Sequence, residues 1–172
     1  MLPSIIKAVS GTIIILASFS MAQAQTASDH SSQKLYWAHI AYGITSLGPG
    51  NTLGLGIDIN RHIFSLRSSA TDPAPFKDTW DVAFLYGRSI WLGDFYAAGS
   101  TGVGIVAGEQ YSQFIGGTAE GSMDPMISFP VEGHLSKPLS RNFAVGLSAF
   151  FNVNTNQPFG GVSAAIRVGG LN

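Results

Sequence analysis

The sequence predicts an all-β protein, an eight-stranded antiparallel up-and-down β-barrel that crosses a membrane with its strands. Three observations lead to this prediction: an N-terminal export signal, apolar residues that alternate with small or polar ones along most of the remaining chain, and a shortage of charge. Only 11% of the 172 residues are Asp, Glu, Lys or Arg, against about a quarter in soluble domains. Hydrophobic residues make up 45% of the chain, and 21 residues are glycine.

The charge balance and the lack of cysteine exclude several classes of protein. Nine basic against ten acidic residues give a formal net charge of -1, which leaves no basic surface to bind nucleic acid. A chain this apolar and this poor in charge is not typical of intrinsic disorder. Because the sequence contains no cysteine, disulfide scaffolds, thiolate zinc sites and cysteine nucleophiles are also excluded.

Residues 1–24 have the organisation of a cleaved secretory signal peptide. Lys7 precedes an apolar run at 13–19, and the A-x-A sequence at 22–24 predicts cleavage before Gln25. The apolar run is interrupted and is shorter than the roughly 20 residues that a membrane anchor requires. The chain left after cleavage has the length of one domain. The expected organisation is a signal peptide at 1–24, a short N-terminal segment at 25–33 and the barrel at 34–172.

Eight segments of the exported chain show the period-two alternation that is typical of β-strands. In the first of them, Tyr36, Ile40 and Ile44 share the apolar parity, whereas Trp37 and His39 have the opposite one. Across the segments the second parity is mostly Gly, Ser and scattered polar residues. The alternating segments are 36–44, 53–59, 64–66, 80–86, 95–105, 127–135, 143–153 and 162–168.

The small and polar face cannot form a good soluble surface, because it carries few Lys, Glu or Asp side chains. We therefore expect the apolar face to meet lipid and the polar face to fill a narrow lumen. Eight strands of about ten residues form the smallest common outer-membrane barrel, whose interior is filled by side chains. Closure of such a barrel also satisfies the backbone hydrogen bonds within lipid.

The connections between these segments alternate in length, as they do in outer-membrane barrels. We expect the short set at the periplasmic rim, together with both termini, and the longer set outside. The short connections are 60–61, 89–93 and 137–141, and the longer or turn-rich ones are 47–51, 70–78, 108–124 and 154–158. The candidate aromatic girdles are Trp80, Tyr42 and Phe159 at the outer rim and Tyr36, Tyr86 and Trp91 at the inner rim.

Four segments, at 54–67, 85–88, 102–106 and 152–167, resemble the small eight-stranded outer-membrane β-barrel proteins of Gram-negative bacteria, of the OmpA and OmpX type. The resemblance implies an outer-membrane location, contact with outer-membrane lipid and lipopolysaccharide, and biogenesis through the barrel-assembly machinery. A monomer is the expected state. The family usually ends in an aromatic residue that this machinery reads, and Leu171 is the nearest equivalent here.

Charged and imidazole side chains on the inward parity form the candidate site. Buried charges need partners, because desolvation costs several kcal/mol per ion. Three acids against two arginines are close to balance, which favours an ion-pair network that fills the lumen. A narrow pore is the alternative. The predicted lumen network is Asp58, Arg67, Asp81, Glu132, Arg167, His39 and His134.

A lipid A-modifying hydrolase is the third hypothesis. Glu132, His134 and Ser136 include a His-x-Ser spacing similar to the catalytic element of the lipid A deacylases, in which Ser attacks, His is the base and a Glu orients the His. In that family the Glu follows the element, whereas no Asp or Glu follows Glu132 here. We therefore expect no enzymatic activity and no cofactor. We also expect no metal site, because the four histidines lack ligand spacing along the chain.

The segment 108–124 is the longest predicted connection, and its Tyr111, Phe114 and Ile115 suggest contact with a partner. The outer connections together carry an excess of negative charge, which is most typical of a solvated rim. Cations that bridge lipopolysaccharide phosphates, or a basic partner, are the alternatives. The residues concerned are Asp72, Asp78, Glu109, Glu120 and Asp124, against Lys77. The sequence thus predicts a barrel with a structural or surface-interaction role.

Overall fold

A computed structural model describes residues 34–71, 79–111 and 119–171, and these form a closed antiparallel β-barrel. The predicted fold class is confirmed. The signal peptide predicted at 1–24 and the segment at 25–33 lie outside the described residues. The strands are β1 (Lys34–Thr45), β2 (Gly48–Ile59), β3 (His62–Thr71), β4 (Thr79–Leu92), β5 (Phe95–Tyr111), β6 (Ala119–Ser140), β7 (Phe143–Val153) and β8 (Phe159–Gly170).

The barrel closes because each strand pairs with the next and β1 also pairs with β8. Ile40 of β1, for example, lies opposite Leu53 on one side and Ile166 on the other. Where all eight strands pair, closure leaves no open sheet edge, so the backbone donors and acceptors there have neighbours on both sides. In the described ranges, no helix is long and apolar enough to span a membrane.

Side chains alternate between the two faces of the barrel wall as the sequence predicts. Most large apolar residues point outward, and the lumen is lined mainly by small or polar ones, with apolar side chains clustered near its two ends. Because a strand has a period of two, this single choice of parity decides the direction of every side chain along it. One exposed apolar residue from each strand, in order, is Ile40, Leu55, Leu66, Phe84, Val103, Ile127, Leu147 and Ile166.

We call the end of the barrel where β1 begins and β8 ends the lower end, and the opposite end the upper end. The lower end contains three two-residue turns, at 60–61, 93–94 and 141–142. Asn60 and Arg61 have positive φ values of 53° and 68°, and positive φ at both central residues is characteristic of a type I′ hairpin turn. The short connections predicted at 89–93 and 137–141 are thus shorter still, because strand residues occupy most of them.

Two predictions of long upper connections are wrong. Residues 48–51 belong to β2, and a tight turn at 46–47 joins β1 to β2. Glycine and proline in that stretch suggested a turn, but here both continue a paired strand. Residues 108–111 and 119–124 likewise belong to strands, since β5 runs to Tyr111 and β6 starts at Ala119, with register shifts between the two strands. Phe114 and Ile115 lie outside the described residues.

The aromatic girdles are partly as predicted. Tyr42 and Trp80 are exposed toward the upper end, and Tyr36 and Tyr86 toward the lower end. Phe159 is instead fully buried in the lumen. Trp91 also differs from the prediction, because it packs edge-on against the lumenal Tyr96, with ring centroids 5.5 Å apart. Both aromatics were assigned by their position near a strand end, and the contacts inside the barrel determine where they lie.

Candidate functional site

The lumen contains an apolar cluster near each end with charged residues between them. Arg67 lies over the ring of Phe150 in the upper cluster, and Arg167 lies over the rings of Trp37 and Tyr96 in the lower cluster. The charged side chains thus contact both clusters. The lower cluster is Leu35, Trp37, Ile63, Tyr96, Ala98, Ala144 and Leu171. The upper cluster is Leu47, Val106, Met123, Phe150 and Phe159.

Arg67 and Asp81 form a buried ion pair between β3 and β4, on a diagonal, because Asp81 lies opposite Ser69 in the register. Asp81 also accepts hydrogen bonds from the Ser69 hydroxyl, from the Ser69 backbone N–H at 3.2 Å and from Asn152 Nδ2 at 2.7 Å. Glu132 approaches Arg67 from β6, with 3.6 Å between Arg67 Nη1 and Glu132 Oε2. A buried carboxylate with several donors is compensated for its lost hydration. This cluster therefore connects β3, β4, β6 and β7.

Asp58 and Arg167 differ from the predicted network. Asp58 accepts hydrogen bonds from the Ser89 hydroxyl and, at 2.9 Å, from the Tyr96 hydroxyl. Within the residues that the structure places, neither Asp58 nor Arg167 forms an ion pair. The Arg167 guanidinium lies 5.0 Å from the Trp37 ring and 5.4 Å from the Tyr96 ring. Aromatic faces attract a guanidinium when it is desolvated, so hydroxyls and rings replace the carboxylate–arginine contacts expected there.

His39, Glu132 and His134 come together from β1 and β6, although 93 positions of sequence separate the first two. The imidazole centroids of His39 and His134 are 5.1 Å apart, and His134 Nε2 contacts Glu132 Oε1. One ligand-type atom from each of the three residues lies within 4.8 Å of the others. His39 is 6% exposed, and neither of its ring nitrogens has a hydrogen-bond partner.

Two glycines of β2 make room for the large side chains that face them. His39 lies opposite Gly54, and Trp37 lies opposite Gly56. A Cβ atom at position 54 would overlap the imidazole ring, and one at 56 would overlap the indole. Glycine in a strand often marks such a close approach. The Gly-Leu-Gly sequence of β2 therefore sets where two ring systems lie in the lumen.

The His-x-Ser element faces the lumen, as its parity predicts, but it does not assemble a dyad. Ser136 is buried. Within the described part of the chain, His134 Nε2 contacts Glu132, and His134 Nδ1 has no hydrogen-bond partner. Neither nitrogen therefore accepts a hydrogen bond from the Ser136 hydroxyl in this conformation. Activation of a serine nucleophile requires a hydrogen bond to its base.

Sequence reasoning missed several polar partners within the lumen. Ser69 and Asn152 bond to Asp81, and Ser89 bonds to Asp58. Asn152 also donates to the Ser128 hydroxyl, at 3.3 Å. The inward parity of these residues is a signal that marks them as lumenal. Which acid each of these polar residues contacts depends on the stagger between strands around the barrel. That stagger cannot be inferred from the sequence alone.

The shape of the barrel is shared with solved bacterial outer-membrane structures. The crystal structure of Neisserial surface protein A (NspA) superposes with a TM-score of 0.57 and 16% identity, over 78% of this chain and 96% of that one. The N-terminal β-barrel domain of Pseudomonas aeruginosa OprF superposes with a TM-score of 0.59 and 7% identity, over 80% and 98%.

The chain has the fold of the small eight-stranded outer-membrane barrels. The resemblance predicted from the sequence is confirmed at the level of the fold. No protein-family model matches the chain, and a search of curated proteins finds no match. Functional conclusions must therefore come from the lumen and the surface of this barrel itself.

Proposed function

We propose that this protein is an integral outer-membrane barrel with a closed lumen and a structural or surface-interaction role. The observation that carries the proposal is the outward belt of apolar side chains, which runs through every strand of the closed barrel. Leu147 and Ile127, for example, are each 64% exposed. A soluble protein rarely exposes a contiguous apolar patch larger than a few hundred Å², whereas lipid is a suitable partner for such a belt.

The exposed aromatic residues support the same proposal. Tyr42 and Trp80 lie toward the upper end, and Tyr36 and Tyr86 lie toward the lower end. Aromatic side chains with a polar tip prefer the two interfaces between lipid and water. Lipid and lipopolysaccharide are accordingly the proposed surroundings of the belt. We further propose export by a cleaved signal peptide, insertion by the barrel-assembly machinery and a monomeric state.

The contents of the lumen support a closed barrel over a conducting one. The upper and lower clusters each contain aromatic rings, and two arginines and their partners occupy the space between them. An eight-stranded barrel has an interior just wide enough for its side chains to fill. The lumen thus has the character of a packed polar core.

The location is tested by membrane fractionation combined with heat-modifiable gel mobility. We expect the exported chain in the outer-membrane fraction, with unboiled and boiled samples that migrate differently because the folded barrel resists detergent. Recovery as a soluble periplasmic monomer would contradict the proposal. It would favour a soluble ligand-binding barrel instead.

A narrow pore is the second candidate, and unpaired polar atoms in the lumen favour it. The Nε atoms of Arg67 and Arg167 and the Oδ1 atom of Asp58 have no hydrogen-bond partner. Water that threads past them would satisfy these atoms. Planar-bilayer recordings separate the two candidates. The closed barrel is expected to give no stable conductance, whereas a uniform conductance whose ion selectivity changes with Asp58→Asn would establish the pore.

The proposal assigns no catalytic step to the barrel. The hydrolase hypothesis requires Ser136 and His134 to bond to each other, and His134 contacts Glu132 instead. Incubation of the purified barrel with lipid A is the direct test. Deacylation that both His134→Ala and Ser136→Ala abolish would replace the structural proposal with an enzymatic one.

The surface-interaction part of the proposal concerns the β5–β6 hairpin. β5 has 17 residues and β6 has 22, whereas β7 has 11. About 9 to 11 residues suffice for a tilted strand to cross the membrane. The hairpin therefore extends beyond the apolar belt, which is how a barrel presents a surface to a partner. Replacement of residues 110–120 by a two-residue turn keeps Met123 of the upper cluster, so it should leave folding intact. The same change should abolish any binding of the cell surface to a partner through this hairpin.

A further inference from the structure

The strongest unexplained feature of the lumen is the cluster formed by His39, Glu132 and His134. These residues bring two imidazoles and one carboxylate together, with one donor atom of each within 4.8 Å of the others. His39 is 6% exposed, and the His134 side chain is 9% exposed. Both nitrogens of His39, Nδ1 of His134 and Oε2 of Glu132 lack a hydrogen-bond partner. Buried polar atoms without partners are rare and require an explanation.

We propose that His39, Glu132 and His134 bind one divalent transition-metal ion of the zinc class. Imidazole nitrogen and carboxylate oxygen are ligands that Zn²⁺ accepts, and three protein ligands with one further position form a common site. Bonds of about 2.0–2.1 Å in a tetrahedron place ligand atoms about 3.4 Å apart. The ligand atoms lie within 4.8 Å of one another, so their separations must shorten by at most about 1.4 Å when the ion binds. Water would supply the fourth ligand.

The strand register and a facing glycine determine where the His39 ring lies. Gly54 lies opposite His39 in the strand register, and the imidazole occupies the space that a side chain at 54 would fill. His134 and Glu132 are two residues apart on β6, so they point to the same side. The ligands thus come from a packed ring on β1 and from two neighbouring inward positions on β6.

The charge balance of the lumen accommodates a cation. Asp58, Asp81 and Glu132 supply three carboxylates, against the guanidinium groups of Arg67 and Arg167. With both histidines neutral, these five described groups carry one excess negative charge. Arg67 contacts Asp81 more closely than Glu132, whose Oε2 lies 3.6 Å from Arg67 Nη1, and Arg167 lies on aromatic rings. Oε1 of Glu132 faces His134, so Glu132 is the carboxylate placed to bind a metal beside the imidazoles.

The ligand set also selects the type of cation. Ca²⁺ takes six to eight oxygen ligands, and Mg²⁺ keeps an octahedral shell of oxygens. Two imidazoles and a single carboxylate suit neither ion, but they suit Zn²⁺ and its neighbours in the transition series. Because apolar clusters lie at both ends of the lumen, we infer that the ion enters while the barrel folds. Once bound, it ties β1 to β6 across the lumen.

The test measures metal bound by the full exported chain after it folds in detergent with Zn²⁺ and is then dialysed against metal-free buffer. Wild type is expected to retain one Zn²⁺ per barrel by elemental analysis. His39→Gln and His134→Gln should each retain less than about a tenth of that amount, because metal affinity depends on the complete ligand set. His62→Gln is the matched control, since His62 bonds to the Tyr86 hydroxyl outside the cluster.

If a variant fails to fold, spectroscopy of the wild-type barrel tests the same ligands without any substitution. Co²⁺ in place of Zn²⁺ should give wild-type barrels the visible absorption of a tetrahedral site, and X-ray absorption at the zinc edge should show two imidazole ligands. Wild-type barrels that fold without retained metal would overturn the proposal and leave water as the partner of these nitrogens. Equal retention by wild type and His39→Gln would overturn it as well, since the metal would then lie elsewhere.

Discussion

Gly54 and His39 face each other across β1 and β2, and the imidazole of His39 covers the site where a Cβ of residue 54 would lie. On its other side, Gly54 is the register partner of Arg67 in β3. One small residue thus separates two of the largest polar side chains in the lumen. The arrangement explains why the inward parity of β2 contains glycine beside charged and aromatic positions.

Gly54→Ala should therefore destabilise the barrel. The added methyl group must displace the His39 ring in a filled lumen, and such overpacking costs about 1–3 kcal/mol. The free energy of unfolding in urea, followed by gel mobility, measures the loss. Gly99→Ala is the matched control, because a Cβ at 99 meets no atom within 4 Å. Equal stability of the two variants would mean that the His39 ring moves freely.

Arg67 and Asp81 should show strong energetic coupling. Asp81 is fully buried and also bonds to Ser69 and Asn152, so loss of one partner leaves a charge uncompensated in the lumen. We expect Arg67→Met and Asp81→Asn each to cost about 3–5 kcal/mol. The double variant should cost at least about 1 kcal/mol less than the sum of the two. Urea unfolding of all four proteins measures the cycle.

The control for this cycle is Lys137→Met, which removes an exposed positive charge located over the Phe95 ring. It should change the free energy of unfolding by less than about 0.5 kcal/mol, as surface substitutions usually do. Strict additivity of the two lumenal substitutions would show that the guanidinium and carboxylate do not depend on each other.

The sequence was sufficient to predict the wall of the barrel. Alternation along a strand is local, so the inward direction of Asp58, Arg67 and Glu132 follows from their parity alone. The low charge then decides which face meets lipid. The tight turn at Asn60–Arg61 could also be predicted, because it falls between two alternating segments.

Contacts across the lumen could not be predicted in the same way. His39 and His134 lie on β1 and β6, and they meet only after the barrel closes with its own stagger. Spacing along the chain therefore gave no sign of their proximity. Phe159 shows a different limit: its proximity to a strand end suggested the girdle, whereas its pairing with Asn152 places it in the lumen.

Leu147→Arg should strongly destabilise the barrel in a bilayer. Leu147 is 64% exposed and lies within the apolar belt on β7, where an arginine near the membrane midplane costs about 2–4 kcal/mol. Leu92→Arg is the control, because Leu92 is exposed at the lower end of β4 and an interfacial arginine costs about 0–1 kcal/mol. Folding titrations in lipid vesicles measure both. If a lipid-soluble probe labels Ser148→Cys and not Leu147→Cys, the assignment of faces is wrong.

Tyr96→Phe tests whether the hydrogen bonds to the buried Asp58 carboxylate stabilise the barrel. The Tyr96 hydroxyl donates to Asp58 at 2.9 Å, and its loss leaves Ser89 as the remaining side-chain donor among the described residues. When a buried carboxylate loses a hydrogen-bond donor, the free energy of unfolding falls by about 1–3 kcal/mol. Tyr36→Phe is the matched control, because Tyr36 is 63% exposed on the outer face. Urea midpoints that shift equally for both variants would remove Asp58 from the set of stabilising contacts.

Phe159→Ala tests whether the upper cluster stabilises the barrel and whether it alone closes the lumen. Phe159 is fully buried and meets Phe150 edge-on, with ring centroids 5.8 Å apart. Loss of a buried ring typically costs about 3–5 kcal/mol, part of which comes from the cavity left behind. Phe151→Ala is the control: Phe151 is exposed toward lipid, so lipid fills the space and the loss of stability should be smaller.

Planar bilayers should still show no conductance for Phe159→Ala, because Arg67 with its acidic partners Asp81 and Glu132, and the lower cluster, remain below the mutated position. A stable current through this variant would mean that the upper cluster is the only seal, and that the polar residues beneath it already line a hydrated path.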